Sequence, residues 1–355
     1  MHASIRGSSV HPVVRVTGNF TSESPLSEVV RSALLAAFDQ GWADPKKLSQ
    51  SSARAAILHN QALENIAAHL KVATDSIEVL GEPALGHYLA IAGLLRDDLT
   101  FAYSATDKGK IRALARSHRG AVTELQVDDQ GAINSAQIPK NCVLSLQLAN
   151  GETGVVQDSE ALAGLSKFVA IDATSVGSRI ELPGRWDTAL FDARSWNGPG
   201  GLAILAIKNK NQFKYPLPHI APIKSPGTFS LPLLIAASVA LENFTIEEQT
   251  LREFALAALS AIPGVRVVAP QAPSISSVFS IIVEGFNGEH LVRELSARAI
   301  DVDSGSACSP ADLQPSHVLA AMGYPTDGHL LITLKSGMTR DDIAGLAKAL
   351  IEVTS

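Results

Sequence analysis

Between Cys142 and Asn209 the chain passes through four short apolar runs divided by turns: CVLSLQLA (142–149), KFVAIDAT (167–174), TALFDARS (188–195) and GLAILAIKN (201–209). Each is apolar at nearly every position, not at every second one. A strand of that kind needs cover on both faces, the condition of a central strand in a mostly parallel sheet enclosed by helices. Working outward, LSEVVRSALLAAFDQG (26–41) has apolar residues at helical spacing, an acidic first turn and a terminal glycine. A second amphipathic helix is predicted across Ser52–Leu70. Downstream, a Pro-rich linker from Tyr215 to Pro226 leads into the helix pattern LPLLIAASVALENF (231–244).

After Ile246 the rhythm changes. The helix TIEEQTLREFALAALSAI is followed by VRVVA, SSVFSIIVEG, the helix GEHLVRELSARAI, the loop SGSACSP, HLLITLK and a last helix from Thr339. The reading is of class α/β in two units: a polar tail over 1–12, a large α/β domain over 13–245 and a smaller C-terminal α+β domain over 246–355. A length of 355 residues suits two domains.

Composition narrows the function. The hydrophobic share of 46% and charged share of 18% are those of a folded protein. A net charge of −6 argues against a nucleic-acid partner, which needs clustered Lys and Arg to neutralise phosphates. Lys208, Lys210 and Lys214 are read as a solvated loop. Only Cys142 and Cys308 occur, and no basic-then-apolar leader opens the sequence, so a cytoplasmic protein without a disulfide framework is expected. No run approaches the roughly 20 apolar residues of a membrane helix. No metal-ligand cluster, G-x-S-x-G turn or P-loop is found.

The most specific stretch is DVDSGSACSPADLQPSHVLAAMG, from Asp301 to Gly323. By residue type alone, Cys308 in a Ser/Gly loop ahead of a helix is either a reactive thiol, favoured by backbone N–H groups, or a small buried residue. The run SGSAC followed by L-x-P-S-H-V-L-x-A-M-G closely resembles the catalytic-cysteine loop of the cysteine desulfurases, pyridoxal-phosphate enzymes of the class V aminotransferase family. FNGEHLVRELSARAIDVDSGSAC, LANGETGVVQD from Leu148, VAIDATSVGSRIEL, DARSWNGPGG from Asp192 and ADPKKLS resemble further segments of that family. The resemblance spans the chain from about Val14 to the C-terminus and implies a fold type I pyridoxal-phosphate transferase large domain.

The resemblance implies roles residue by residue. Asp172 falls where an aspartate pairs with the pyridine nitrogen of the cofactor, Asn150 and Glu152 in the Asn-Glu-Thr-Gly-like turn, and Thr228 where a phosphate contact arrives from the neighbouring subunit. Cys308 falls on the sulfur-accepting cysteine. Other positions depart. Ser195 stands at the Schiff-base lysine and Arg194 at the histidine beside it. Thr106 is placed at the ring-stacking histidine, Ser175 at the glutamine on the ring hydroxyl, and Leu331 at the arginine for the substrate carboxylate. Glu82-Pro83-Ala84 replaces the small-residue turn that grips the phosphate, removing an N–H and adding a negative charge. Serine cannot form an imine and has no amine to move a proton. Lys208 lies roughly 40 Å of extended chain from Ser195, too far to substitute.

The resemblance with these departures therefore implies a desulfurase-like homodimer whose cofactor site is degenerate and does not bind pyridoxal phosphate covalently. Cys308 would act as a sulfur acceptor or docking element toward a true desulfurase or a sulfur-acceptor protein. The alternative is an active cysteine desulfurase. For Asp172, capping of the next turn together with Thr174 is an equal structural reading. Cys142, in an apolar strand, is expected to be buried and inert.

Overall fold

The computed structural model describes residues 18–220, 223–224, 229–304 and 315–355. Cys308, Thr228 and the tail over 1–12 lie outside the described residues. The chain up to Glu242 contains, in order, β1 (Asn19–Phe20), α1 (Glu28–Gln40), α2 (Gln50–Leu70), β2 (Ile77–Leu80), α3 (Pro83–Ala92), β3 (Thr100–Ser104), α4 (Gly109–Ser117), β4 (Val122–Leu125) and β5 (Cys142–Gln147). It continues with α5 (Ser159–Ala163), β6 (Phe168–Asp172), β7 (Thr188–Asp192), β8 (Ala203–Ile207), a short hairpin of β9 (His219–Ile220) and β10 (Ile223–Lys224), and α6 (Leu231–Glu242).

Seven of these strands form one sheet in the order β2-β8-β7-β6-β5-β3-β4. Only β8 runs against its neighbours β2 and β7; the other pairings are parallel. Every residue of β5, β7 and β8 is buried, as their unbroken apolar runs require of strands covered twice. α1, α2 and α6 cover one face and α3 and α4 the other. Helix ends follow local chemistry. Ser49 caps α2 through the Ser52 N–H at 3.0 Å, and Pro83 opens α3, where its missing N–H costs nothing. α6 is apolar all round because it lies between the sheet and α1 and α2.

The second unit contains α7 (Gln249–Ser260), β11 (Val265–Val267), β12 (Val278–Val283), α8 (Gly288–Ser296), β13 (Asp301–Val302), α9 (His317–Ala321), β14 (His329–Thr333) and α10 (Arg340–Thr354). β11, β12 and β14 form an antiparallel sheet backed by α7, α8 and α10. This is the α+β unit predicted after Ile246. β1 joins it from the far end of the chain: Asn19 pairs with Asp301 and Phe20 with Val302, in parallel. Phe20 is fully buried in the second unit's core, and Lys335 donates to the Asn19 side chain at 2.8 Å. A two-residue strand has no period to read, so the sequence assigned these residues to the first unit.

Candidate functional site

β5, β6 and β7 run parallel, so their carboxyl ends bring Gln147, Asp172 and Asp192 to one edge of the sheet, where open α/β sheets place ligands. Asp172 is the centre of this edge and is buried. Its Oδ1 accepts from the Thr174 N–H at 2.9 Å and the Thr174 hydroxyl at 2.5 Å. Its Oδ2 accepts from His87 Nε2 at 3.2 Å and lies 3.4 Å from Lys108 Nζ, which also donates to the Thr174 hydroxyl. Burial pushes this carboxyl up, but Lys108, His87 and Thr174 outweigh it and hold the group well below the usual carboxylate range. Oδ1 thus takes two hydrogen bonds and Oδ2 one hydrogen bond and one ion pair, all from the chain itself.

His87 comes from α3 and Lys108 from the turn between β3 and α4. The sequence reading missed both, because they lie 85 and 64 positions before Asp172 and no spacing or motif ties either to it. Thr106, assigned the stacking position, instead turns its hydroxyl onto Ser104 at 2.9 Å, and Lys108 two residues later is the side chain that reaches Asp172. Between them, Asp107 is fully buried and accepts from the Ser104 N–H at 3.0 Å. Burial raises its pKa to about 7, with the nearby Asp172 adding to the rise.

Asn150 is likewise consumed internally. Its amide donates to the Thr106 carbonyl at 3.1 Å and to Gln147 at 3.2 Å, while its oxygen accepts from the N–H groups of Glu152 and Thr153. Ser175 sits over Gly151, where a Cβ would come within 2.8 Å of its hydroxyl.

The turn after β7 is a short 3-10 helix, Ala193–Trp196, closed by Asn197 in the left-handed region. Ser195 donates its hydroxyl to the Asp192 carbonyl at 2.7 Å. Its own carbonyl accepts from Arg179, whose guanidinium forms a buried pair with Glu247, with Nε to Oε2 at 2.8 Å. Trp196, fully buried, donates to the Ala237 carbonyl of α6 at 3.0 Å. Gly177, at φ +56, lets Ser195 pack close; a Cβ there would lie 2.6 Å from the Ser195 hydroxyl. Arg194 points outward and pairs with Asp192 at 2.8 Å. Lys208 donates to the Gly184 carbonyl, near the amino end of β7 and so at the opposite edge of the sheet.

At the start of α3, Glu82 turns its carboxylate onto the Ala84 N–H at 2.7 Å. Glu82 and Glu23 also lie within electrostatic range of Arg194.

The second unit meets this edge through Glu152. The Ser316 hydroxyl, which caps α9, donates to Glu152 Oε2 at 2.6 Å, and Ser280 donates to the Glu152 carbonyl at 2.9 Å. His317 Nε2 bonds the Asp107 carbonyl at 2.8 Å. Burial pushes the Glu152 carboxyl up, against the pull of Ser316 and His317. Leu331, at the predicted substrate-arginine position, is a buried β14 residue paired with Ser280. Cys142 is buried as expected. Among the described residues there is no group of three His, Cys, Asp or Glu that could hold a metal, and no helix long and apolar enough to cross a membrane.

The residues present do not fit pyridoxal phosphate. No amine stands at Ser195, Asp172 is already engaged by Thr174, His87 and Lys108, and the Glu82 carboxylate takes the Ala84 N–H at the α3 amino terminus, where the resemblance would put the phosphate.

Comparison with known proteins gives the same kinship as the motifs. The class-V aminotransferase family matches residues 222–346. A cysteine desulfurase of Klebsiella pneumoniae is 26% identical over 58% of this chain and 57% of its own length, so that match spans little more than half of the relative. A cysteine desulfurase IscS of Dictyoglomus turgidum is 22% identical over 92% of this chain and 91% of its own. Among solved structures, a NifS-like protein superposes with a TM-score of 0.82 at 19% identity, covering 95% of this chain and 99% of that one, which establishes the fold.

Proposed function

We propose, for a chain that belongs to the cysteine desulfurase family, a role without pyridoxal-phosphate catalysis: a scaffold that accepts or relays sulfur through Cys308 beside a true desulfurase or a sulfur-acceptor protein. The observation that carries this reading is Ser195, a hydroxyl at the lysine position already bonded to the Asp192 carbonyl at 2.7 Å. It can neither form an imine nor move the substrate's α-proton. In the sulfur step, the Cys308 thiolate attacks the terminal sulfur of a donor persulfide. The donor's S–S bond breaks, a new S–S bond forms on Cys308, and the donor leaves as thiolate with no net oxidation.

A homodimer in the cytoplasm is part of the same proposal. Leu35 and Phe38 of α1, one turn apart, and Trp42 just beyond it are more than half exposed, which supports an apolar contact between two copies.

A second reading, an active desulfurase, has one observation in its favour: Lys108 brings a primary amine to the site. That amine is held by Asp172, and releasing it would leave a buried carboxylate short of a partner. The test is direct. Protein incubated with pyridoxal phosphate is expected to stay colourless in the range of about 410–430 nm typical of an aldimine, and to release no alanine from cysteine. Alanine release would overturn the reading. Incubation with a persulfide-loaded desulfurase is expected to add one sulfur to Cys308 and none to Cys142 by mass; an unmodified Cys308 would remove the sulfur role.

A further inference from the structure

We infer that the chain supplies from within itself the two charges a cofactor would bring: the Lys108 ammonium on Asp172 in place of a protonated ring nitrogen, and the Glu82 carboxylate on the α3 amino terminus in place of the phosphate. The inference rests on the reading that the site no longer catalyses pyridoxal-phosphate chemistry, and it adds the reason the site stays ordered and closed to that ligand.

At the ring end, a buried carboxylate without a cation would be costly, because burial removes its hydration. Asp172 lies on β6 beneath the turn that carries Lys108, and Lys108 Nζ at 3.4 Å together with His87 Nε2 at 3.2 Å supplies what a pyridinium would. Thr174 takes the other oxygen with two hydrogen bonds, so both oxygens are engaged from within the chain. At the phosphate end, α3 begins with Pro83, which has no N–H to give, and the Ala84 N–H is taken by Glu82 at 2.7 Å. Glu82 thus occupies the anion position of this helix terminus and places a like charge where a phosphate would come. The two substitutions stand at the two ends where the family's ligand would be charged, and each neutralises the group it faces. Ser195 explains lost catalysis; Lys108 and Glu82 explain lost binding.

The probe is pyridoxine 5′-phosphate, which carries ring nitrogen and phosphate but no aldehyde, so binding does not depend on a lysine. Calorimetric titration should find no saturable binding to the unaltered protein. The double variant Lys108→Met with Glu82→Gly, shown folded by circular dichroism, should bind at least about tenfold more tightly, a gain of about one decade in the constant. A folded double variant that binds no better overturns the inference and leaves the loss of catalysis standing. Saturable binding by the unaltered protein also overturns it, whereas alanine release from cysteine would overturn the reading beneath it. Should the double variant not fold, reductive methylation of the unaltered protein decides: Lys108 should react at least about tenfold more slowly than Lys110 if its ammonium is committed to Asp172, and equal rates overturn the inference.

Discussion

Replacing Asp107 by Asn tests the charge assignment at the site through the pH dependence of stability. Asp107 is fully buried beside Asp172, and burial raises its pKa from 3.8 to about 7. The folded value lies above the unfolded one, so the native state holds this proton the more tightly. The stability that proton confers is fully present below about pH 4, is lost as pH rises, and is gone above about pH 7. About three units at 1.36 kcal/mol each amounts to roughly 4 kcal/mol across that window. Asn keeps an oxygen for the Ser104 N–H but never ionises. Allowing about 1 kcal/mol for altered hydrogen bonding, Asp107→Asn should match the unaltered protein near about pH 4.5 and exceed it by about 3 kcal/mol near about pH 8. Urea unfolding followed by tryptophan fluorescence between those pH values measures the difference. Two curves that stay parallel throughout would refute the reasoning. They would mean that Asp107 is already charged in the folded protein and that Lys108 serves it instead of Asp172.

Three further outcomes follow from the packing around the site. Arg179→Met should cost about 3–5 kcal/mol by stranding the buried Glu247, and Arg179→Met with Glu247→Leu should recover most of it in a double-mutant cycle; an additive double variant would contradict the pairing. Ser316→Ala removes both the α9 cap and a donor to Glu152, at a cost of about 1–3 kcal/mol in thermal unfolding. In the Ser316→Ala background Glu152→Gln should restore part of that loss at neutral pH. Cys142, buried and with its thiol pushed up to about 11 by burial, should resist iodoacetamide in native protein and react on unfolding; labelling in the native state would contradict its place in β5.

The large sheet was legible because its central strands are apolar at nearly every position, a pattern that burial on both faces explains. The alternation after Ile246 was legible for the same kind of reason, since each segment carries its own period. The elements between Ile77 and Leu125 were not read as secondary structure: β2 and β4 are four residues each and partly exposed, so they offer no clear run. β1 is shorter still, and its pairing with Asp301–Val302 is a contact across most of the chain.

By itself the sequence determined which residue types stand at the ends of β6 and β7: an aspartate at 172, and a serine at 195 in a turn whose form Asn197 and the glycines maintain. Chemistry of that order is local, because a residue that lacks an amine lacks it in any fold. Tertiary structure decided what those residues meet. His87, Lys108 and Asp172 are separated by 21 and 64 positions, and no period or spacing links them; parallel strand register and the placement of α3 bring them within 3.4 Å. A carboxylate that the sequence left open between ligand contact and turn cap is thus a buried anion matched by the Lys108 cation and hydrogen-bonded by His87 and Thr174 of its own chain, since burial makes an unmatched charge too costly to leave there.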